Sequence, residues 1–124
     1  MLVVLSCSRV SAQKNGMMVR LSEIEIHSNF LEAYKQILQV ESRASVKLEP
    51  GVIAIYPMYE KAAPTQIRIL EIYASKEAYE AHLKTPHFKE YKTTTLHMVK
   101  SLRLVDMDAL VAETMNAVFV KSRK

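Results

Sequence analysis

The chain has 124 residues, enough for one hydrophobic core and too few for two. Its composition, 49% apolar and 24% charged, is that of a globular domain, and no apolar run approaches the ~20 residues of a membrane-spanning helix. The net charge of +4 belongs to the ends: between Met18 and Asp108 there are 12 Lys/Arg and 12 Asp/Glu, which argues against a nucleic-acid-binding face on the core. With a single cysteine, Cys7, neither an internal disulfide nor a cysteine-based zinc site is available.

Residues 1–16 form a leader or an extra strand. The stretch Met1 to Gln13 has the flavour of the end of a signal peptide, with a lipobox-like Val4-Leu5-Ser6-Cys7. Its apolar part is four residues long, short of the roughly 7–15 of a signal-peptide apolar region, and no Lys or Arg precedes it. As written, the segment predicts a cytoplasmic protein; as the end of a longer signal peptide it would predict a periplasmic or lipid-anchored one. Residues 17–108 carry the domain. Met17 to His27 is rich in β-formers and predicts a strand. Asn29 and Glu32 have the spacing of a capping box, and Phe30, Leu31, Tyr34, Ile37, Leu38 and Ala44 follow on one helical face. Pro50-Gly51 ends that helix.

Val52 to Tyr59 is the second strand, with Val52, Ala54, Tyr56 and Met58 on one side and Ile53, Ile55 and Tyr59 on the other. After a polar loop containing Pro64, Gln66 to Tyr73 is the third strand, again apolar on both faces. Two helices can cover one face of such strands; a second copy of the chain is the economical cover for the other, so the pattern predicts a homodimer. Ser75 caps a short helix through Leu83. Thr85, followed by Pro86 at the first helical position, caps the next, whose core face is Phe88, Tyr91, Thr95 and Met98. Ser101 to Met107 is the fourth strand. The order β-α-β-β-α-β is the ferredoxin-like split unit, an α+β fold. Residues 109–124 are expected to form a C-terminal helix and a basic tail.

Motifs for the commoner chemistries are missing. There is no Gly-rich phosphate cradle, no nucleophile elbow and no H-E-x-x-H. His82 and His87 are five apart across Pro86, so they are not an i, i+4 ligand pair on one helix, and no metal site is expected. What remains is a set of polar groups in apolar surroundings: Glu71 and Tyr73 two apart on one strand face, His82 on the apolar side of its helix, and His87 stacked below Tyr91. Each has a structural role open to it, such as a Glu71–Arg68 pair or a His82 that pins the Thr85-Pro86 turn. Together they make a ligand-site hypothesis, an apolar cavity with converging polar groups.

The runs Leu70-Glu71-Ile72-Tyr73-Ala74, Ala78 through Tyr91 with its AH and TPHF segments, and Met98-Val99-Lys100-Ser101-Leu102 resemble the antibiotic biosynthesis monooxygenase family, most closely its quinol monooxygenase branch; the Glu49-Pro50-Gly51 turn fits as well. The resemblance covers about residues 18–108. It implies a dimeric α+β barrel with one apolar pocket per subunit, oxidising a small quinol or phenolic aromatic with O2 and no flavin, haem or metal. By the same resemblance His82 or His87 would transfer the proton, Tyr73 and Glu71 would hold the substrate oxygen or orient the histidine, and Tyr56, Phe88 and Tyr91 would line the ring site. The signature also occurs in an isomerase of a phosphorylated signalling sugar derivative, so an isomerase or a non-catalytic binding dimer are the alternatives. Haem-degrading relatives share a pocket Trp; this chain has none.

Overall fold

A computed structural model describes residues 16–115 of the chain. The expected leader and most of the expected C-terminal helix lie outside these residues. Four strands, β1 (Met18–Ile26), β2 (Val52–Glu60), β3 (Ala63–Tyr73) and β4 (Val99–Met107), form one sheet in the order β2-β3-β1-β4. Every neighbouring pair is antiparallel. Three helices, α1 (Leu31–Leu48), α2 (Lys76–Leu83) and α3 (Pro86–Thr95), complete the β-α-β-β-α-β order of the ferredoxin-like α+β fold. Among the described residues no helix is long and apolar enough to cross a membrane.

The core lies between the sheet and α1 and α3. Alternate residues of β1, Ser22, Ile24 and Ile26, point into it. They meet Ile67 and Ile69 of β3, Tyr34 and Leu38 of α1, and Met98, all buried. Each fully buried large aliphatic side chain contributes roughly 1.5–3 kcal/mol, so this small cluster dominates the cohesion of the two layers. Ser75 caps α2 by accepting from the Ala78 N–H at 3.0 Å, and Thr85 caps α3 by accepting from the Phe88 N–H at 3.3 Å, with Pro86 at the start of the helix.

Three local expectations are corrected. The Asn29–Glu32 capping box does not form: Ser28–Phe30 make a 3-10 turn, the Phe30 N–H donates to the His27 carbonyl at 2.9 Å, and Asn29 lies inside that turn. The loop before β3 shrinks to a tight hairpin turn, because Glu60 pairs with Ala63 and Pro64 lies within the strand. Proline is tolerated there because β3 pairs with β1 only from Gln66 onward, leaving Pro64 no partner to disappoint on that side. A register shift between Val52 and Ala54 breaks the simple alternation of β2. Val52 and Ile55 therefore oppose Tyr73 and Glu71, whereas Tyr56 opposes Leu70, and Tyr56 faces away from the helices.

Candidate functional site

Glu71 and Tyr73 project from the last turn of β3 on the helix-facing side, opposite Arg20 and Met18 of β1. The Tyr73 hydroxyl donates to Glu71 Oε1 at 2.6 Å, and the Ser22 hydroxyl donates to Oε2. Burial, and then the neighbouring Glu71 charge, push the Tyr73 phenol well above its usual range, so it stays a donor. These groups border a cavity of about 90 Å3 whose walls are apolar: Ile55 and Ile69 from the sheet floor, Leu83 and Phe88 from the helices, Leu102 and Leu104 from β4. Tyr79, His82, Tyr91 and Lys92 complete the lining. Arg20 is held rigidly at one side. Its Nε and Nη2 donate to Asp106 Oδ1 at 3.0 and 2.9 Å, its Nη1 donates to the Tyr79 hydroxyl at 2.6 Å, and it lies 4.6 Å from the centre of that ring.

His82 is 3% exposed and touches the cavity with its ring, which lies 4.8 Å from Phe88 and 5.5 Å from Tyr73 between centroids. Its nitrogens face carboxylates. Nδ1 is 2.9 Å from Glu49 Oε2, and Nε2 is 3.7 Å from Glu41 Oε1. Glu49 Oε2 also lies 2.6 Å from His87 Nε2. Glu41 in turn accepts from the Ser45 hydroxyl at 2.6 Å, and burial raises its carboxyl above the ordinary range. Ligand atoms of Glu41, His82 and His87 lie within 4.8 Å of one another. The five-residue spacing of the histidines, uninformative on a single helix, brings them together because α2 and α3 meet at the Lys84–Thr85 corner.

Of the residues singled out in the sequence, Glu71, Tyr73, His82, Phe88 and Tyr91 border the one cavity. His87 does not. It lines a separate hollow of about 340 Å3 between α1 and α3, with Glu41 and Ile37. Tyr56 does not either: it lies on the opposite face of the sheet, 62% exposed, because of the shift at the start of β2. Sequence reading missed Arg20 and Ser22, which have no motif, and Tyr79, which stands in the family-like run but has no role assigned there. It also missed Glu41, whose signal was there: Tyr34, Leu38, Glu41 and Ser45 repeat at helical spacing on the buried side of α1.

With this geometry in hand, the family model for antibiotic biosynthesis monooxygenase matches residues 17–94. The chain belongs to that family. Among solved structures it is similar to a Bacteroides thetaiotaomicron protein provisionally named an antibiotic biosynthesis monooxygenase: 46% identity, 82% of this chain and 94% of that chain covered, TM-score 0.78. It is also similar to a provisionally named monooxygenase from Lactobacillus acidophilus, at 32% identity and TM-score 0.73, over 74% of this chain and 44% of that one. The antibiotic biosynthesis monooxygenase fold extends to a Nitrosomonas europaea protein at 21% identity, 77% of this chain and 92% of that chain covered, TM-score 0.72. No curated protein matches the chain.

Proposed function

We propose that this family member is a monooxygenase that oxidises a small quinol or phenol with O2, without a bound cofactor, in the cavity beside Glu71. The observation that carries the reading is a carboxylate whose two oxygens accept from hydroxyls inside otherwise apolar walls. A substrate hydroxyl can take the place of the Ser22 hydroxyl on Oε2 while Tyr73 keeps Oε1 in position. Drawing a proton from a phenol of ordinary pKa, ~10, is uphill. Arg20, directly opposite Glu71 on the next strand, supplies the positive charge that stabilises the developing oxyanion. The electron-rich ring then reduces O2: one oxygen atom enters the ring, the other leaves as water, and the substrate provides all four electrons. Phe88 and Ile69 orient the ring, and the cavity volume of about 90 Å3, well below the ~300–1,000 Å3 of drug-sized sites, favours a single-ring substrate.

In this reading the proton-transfer role passes from the histidines to Glu71, because the nitrogens of His82 and His87 are turned toward Glu41 and Glu49. The test is O2 consumption with a panel of quinols and dihydroxyaromatics in chelator-treated buffer. Uptake above the uncatalysed rate is expected, with Glu71→Gln slower by about a hundredfold or more. No uptake with any of the panel overturns the proposal. Arg20 and Lys92 on the same cavity favour a second reading, a non-oxidative isomerisation of an anionic substrate, which predicts turnover under anaerobic conditions.

The functional unit in this proposal is a homodimer. The sheet face away from the helices presents Leu21, Tyr56, Leu70, Ile72, Val105 and Met107, an apolar surface that a second sheet covers to close a barrel.

A further inference from the structure

Glu41, Glu49, His82 and His87 form a buried cluster that the proposed oxidation does not use. Their side chains are 7%, 13%, 4% and 18% exposed. Among the described residues, the ion pairs of Glu41 and Glu49 are to these histidines alone; neither has a Lys or Arg within 4.0 Å. Two carboxylates withdrawn from water without a cation are costly, so the cluster needs positive charge from protons or from an ion.

The spacing around His82 favours an ion. Glu49 Oε2 lies 2.9 Å from His82 Nδ1; with Nδ1–H donating there, a neutral His82 keeps a lone pair on Nε2, whereas an imidazolium would point a second N–H at Glu41. That lone pair faces Glu41 Oε1 across 3.7 Å, too far for a hydrogen bond and close to the roughly 3.4 Å between two donors of one tetrahedral ion bound at ~2.1 Å. A carboxylate behind a ligating imidazole is the usual support of a metal-bound histidine. The hollow lined by Glu41, His87 and Ile37 opens onto the cluster from between α1 and α3 and provides an entry path.

We propose that Glu41, His82 and His87 bind a divalent first-row transition-metal ion, with Glu49 orienting both imidazoles through His82 Nδ1 and His87 Nε2, so that each ligates through its other ring nitrogen. The donor set of two imidazoles and a carboxylate, without thiolate, suits Zn2+, Ni2+ or Co2+ over Ca2+ or Mg2+. The widest separation in the triad, up to 4.8 Å, closes by about 1.4 Å as the ion draws His87 inward from the edge of the hollow. The site is distinct from the Glu71 cavity and shares with it only the His82 ring, so it stands or falls independently of the oxidation.

The experiment is calorimetric titration of Zn2+ into the chelator-stripped full-length chain, with visible absorption of the Co2+-loaded form as a second readout. One ion per chain is expected, bound with proton release. Glu41→Gln and His87→Gln should each weaken binding at least tenfold and alter the Co2+ bands, while His97→Gln and Cys7→Ser leave both unchanged. Circular dichroism establishes that each variant is folded; should Glu41→Gln fail to fold, the less buried His87→Gln decides. If the folded chain takes up no stoichiometric ion, or if His87→Gln binds as the parent does, the cluster is a hydrogen-bonded network neutralised by protons and the proposal is overturned.

Discussion

Tyr34 and Tyr91 meet hydroxyl to hydroxyl between α1 and α3, Tyr34 fully buried and Tyr91 partly buried against the core. Burial pushes the Tyr34 phenol up to about 12 and raises that of Tyr91 further. The unfolded chain releases such protons near pH 10, whereas the folded chain retains them, so the folded state binds more protons above that pH. Its stability is fully present below pH ~10 and falls as pH rises toward the folded-state value. The urea midpoint should therefore drop between pH ~9 and ~11, and Tyr34→Phe with Tyr91→Phe should flatten that drop. An equally steep drop in the double variant would place the alkaline weakness elsewhere. The same helix explains one gap in sequence reading. A stripe counted by apolar residues is broken between Leu38 and Ala44, but the buried stripe runs through that gap at Glu41 and Ser42 and on to Ser45. Polar side chains are invisible to an apolar count even when their phase is right.

Gly51 shows how tightly α2 is set against the turn that precedes β2. A Cβ built on Gly51 would lie 2.6 Å from the Ala78 Cβ, and the Gly51 carbonyl accepts from the Ala74 N–H at 2.8 Å. Neither backbone can retreat without breaking that bond. Gly51→Ala should cost about 1–3 kcal/mol, measured by chemical denaturation, and should also disturb the Glu49 end of the histidine cluster next door. An unchanged stability would mean that α2 slides freely. At this scale the sequence was most legible where a side chain acts alone on the nearest backbone. The Ser75 and Thr85 caps stand where spacing placed them, as do the strands apart from the earlier start of β3, whereas Asn29 lost its cap to a 3-10 turn decided by Phe30 and His27. Tyr56 changed face because a single register shift at the start of β2 leaves no trace in composition. Glu71, Tyr73, His82 and Phe88 were readable as a group because they stand among apolar residues; Arg20 was not, since its meaning depends on Asp106 at the far end of the chain.

For the whole molecule, the proposed dimer rests on the open sheet face. Leu70 lies at its centre, on β3 between Tyr56 of β2 and Leu21 of β1. Sedimentation equilibrium should give a dimer, and Leu70→Glu should shift it to monomer by burying an unpaired charge in the interface while the helix-side core stays intact. A monomeric parent chain at micromolar concentration would remove the argument for a closed barrel.

The strand order has a consequence for how the chain comes off the ribosome. Among the described strands β1 is made first, yet its neighbours are β3 and β4: Met18 waits for Tyr73, and Val19 for Met107. Until β3 has been made, β1 therefore carries Ile24 and Ile26 with both strand edges bare, and the edge that takes β4 stays bare until Met107 follows. The native sheet is therefore not laid down strand by strand in the order of synthesis: β1 must hold its place until β3 and then β4 close on either side of it.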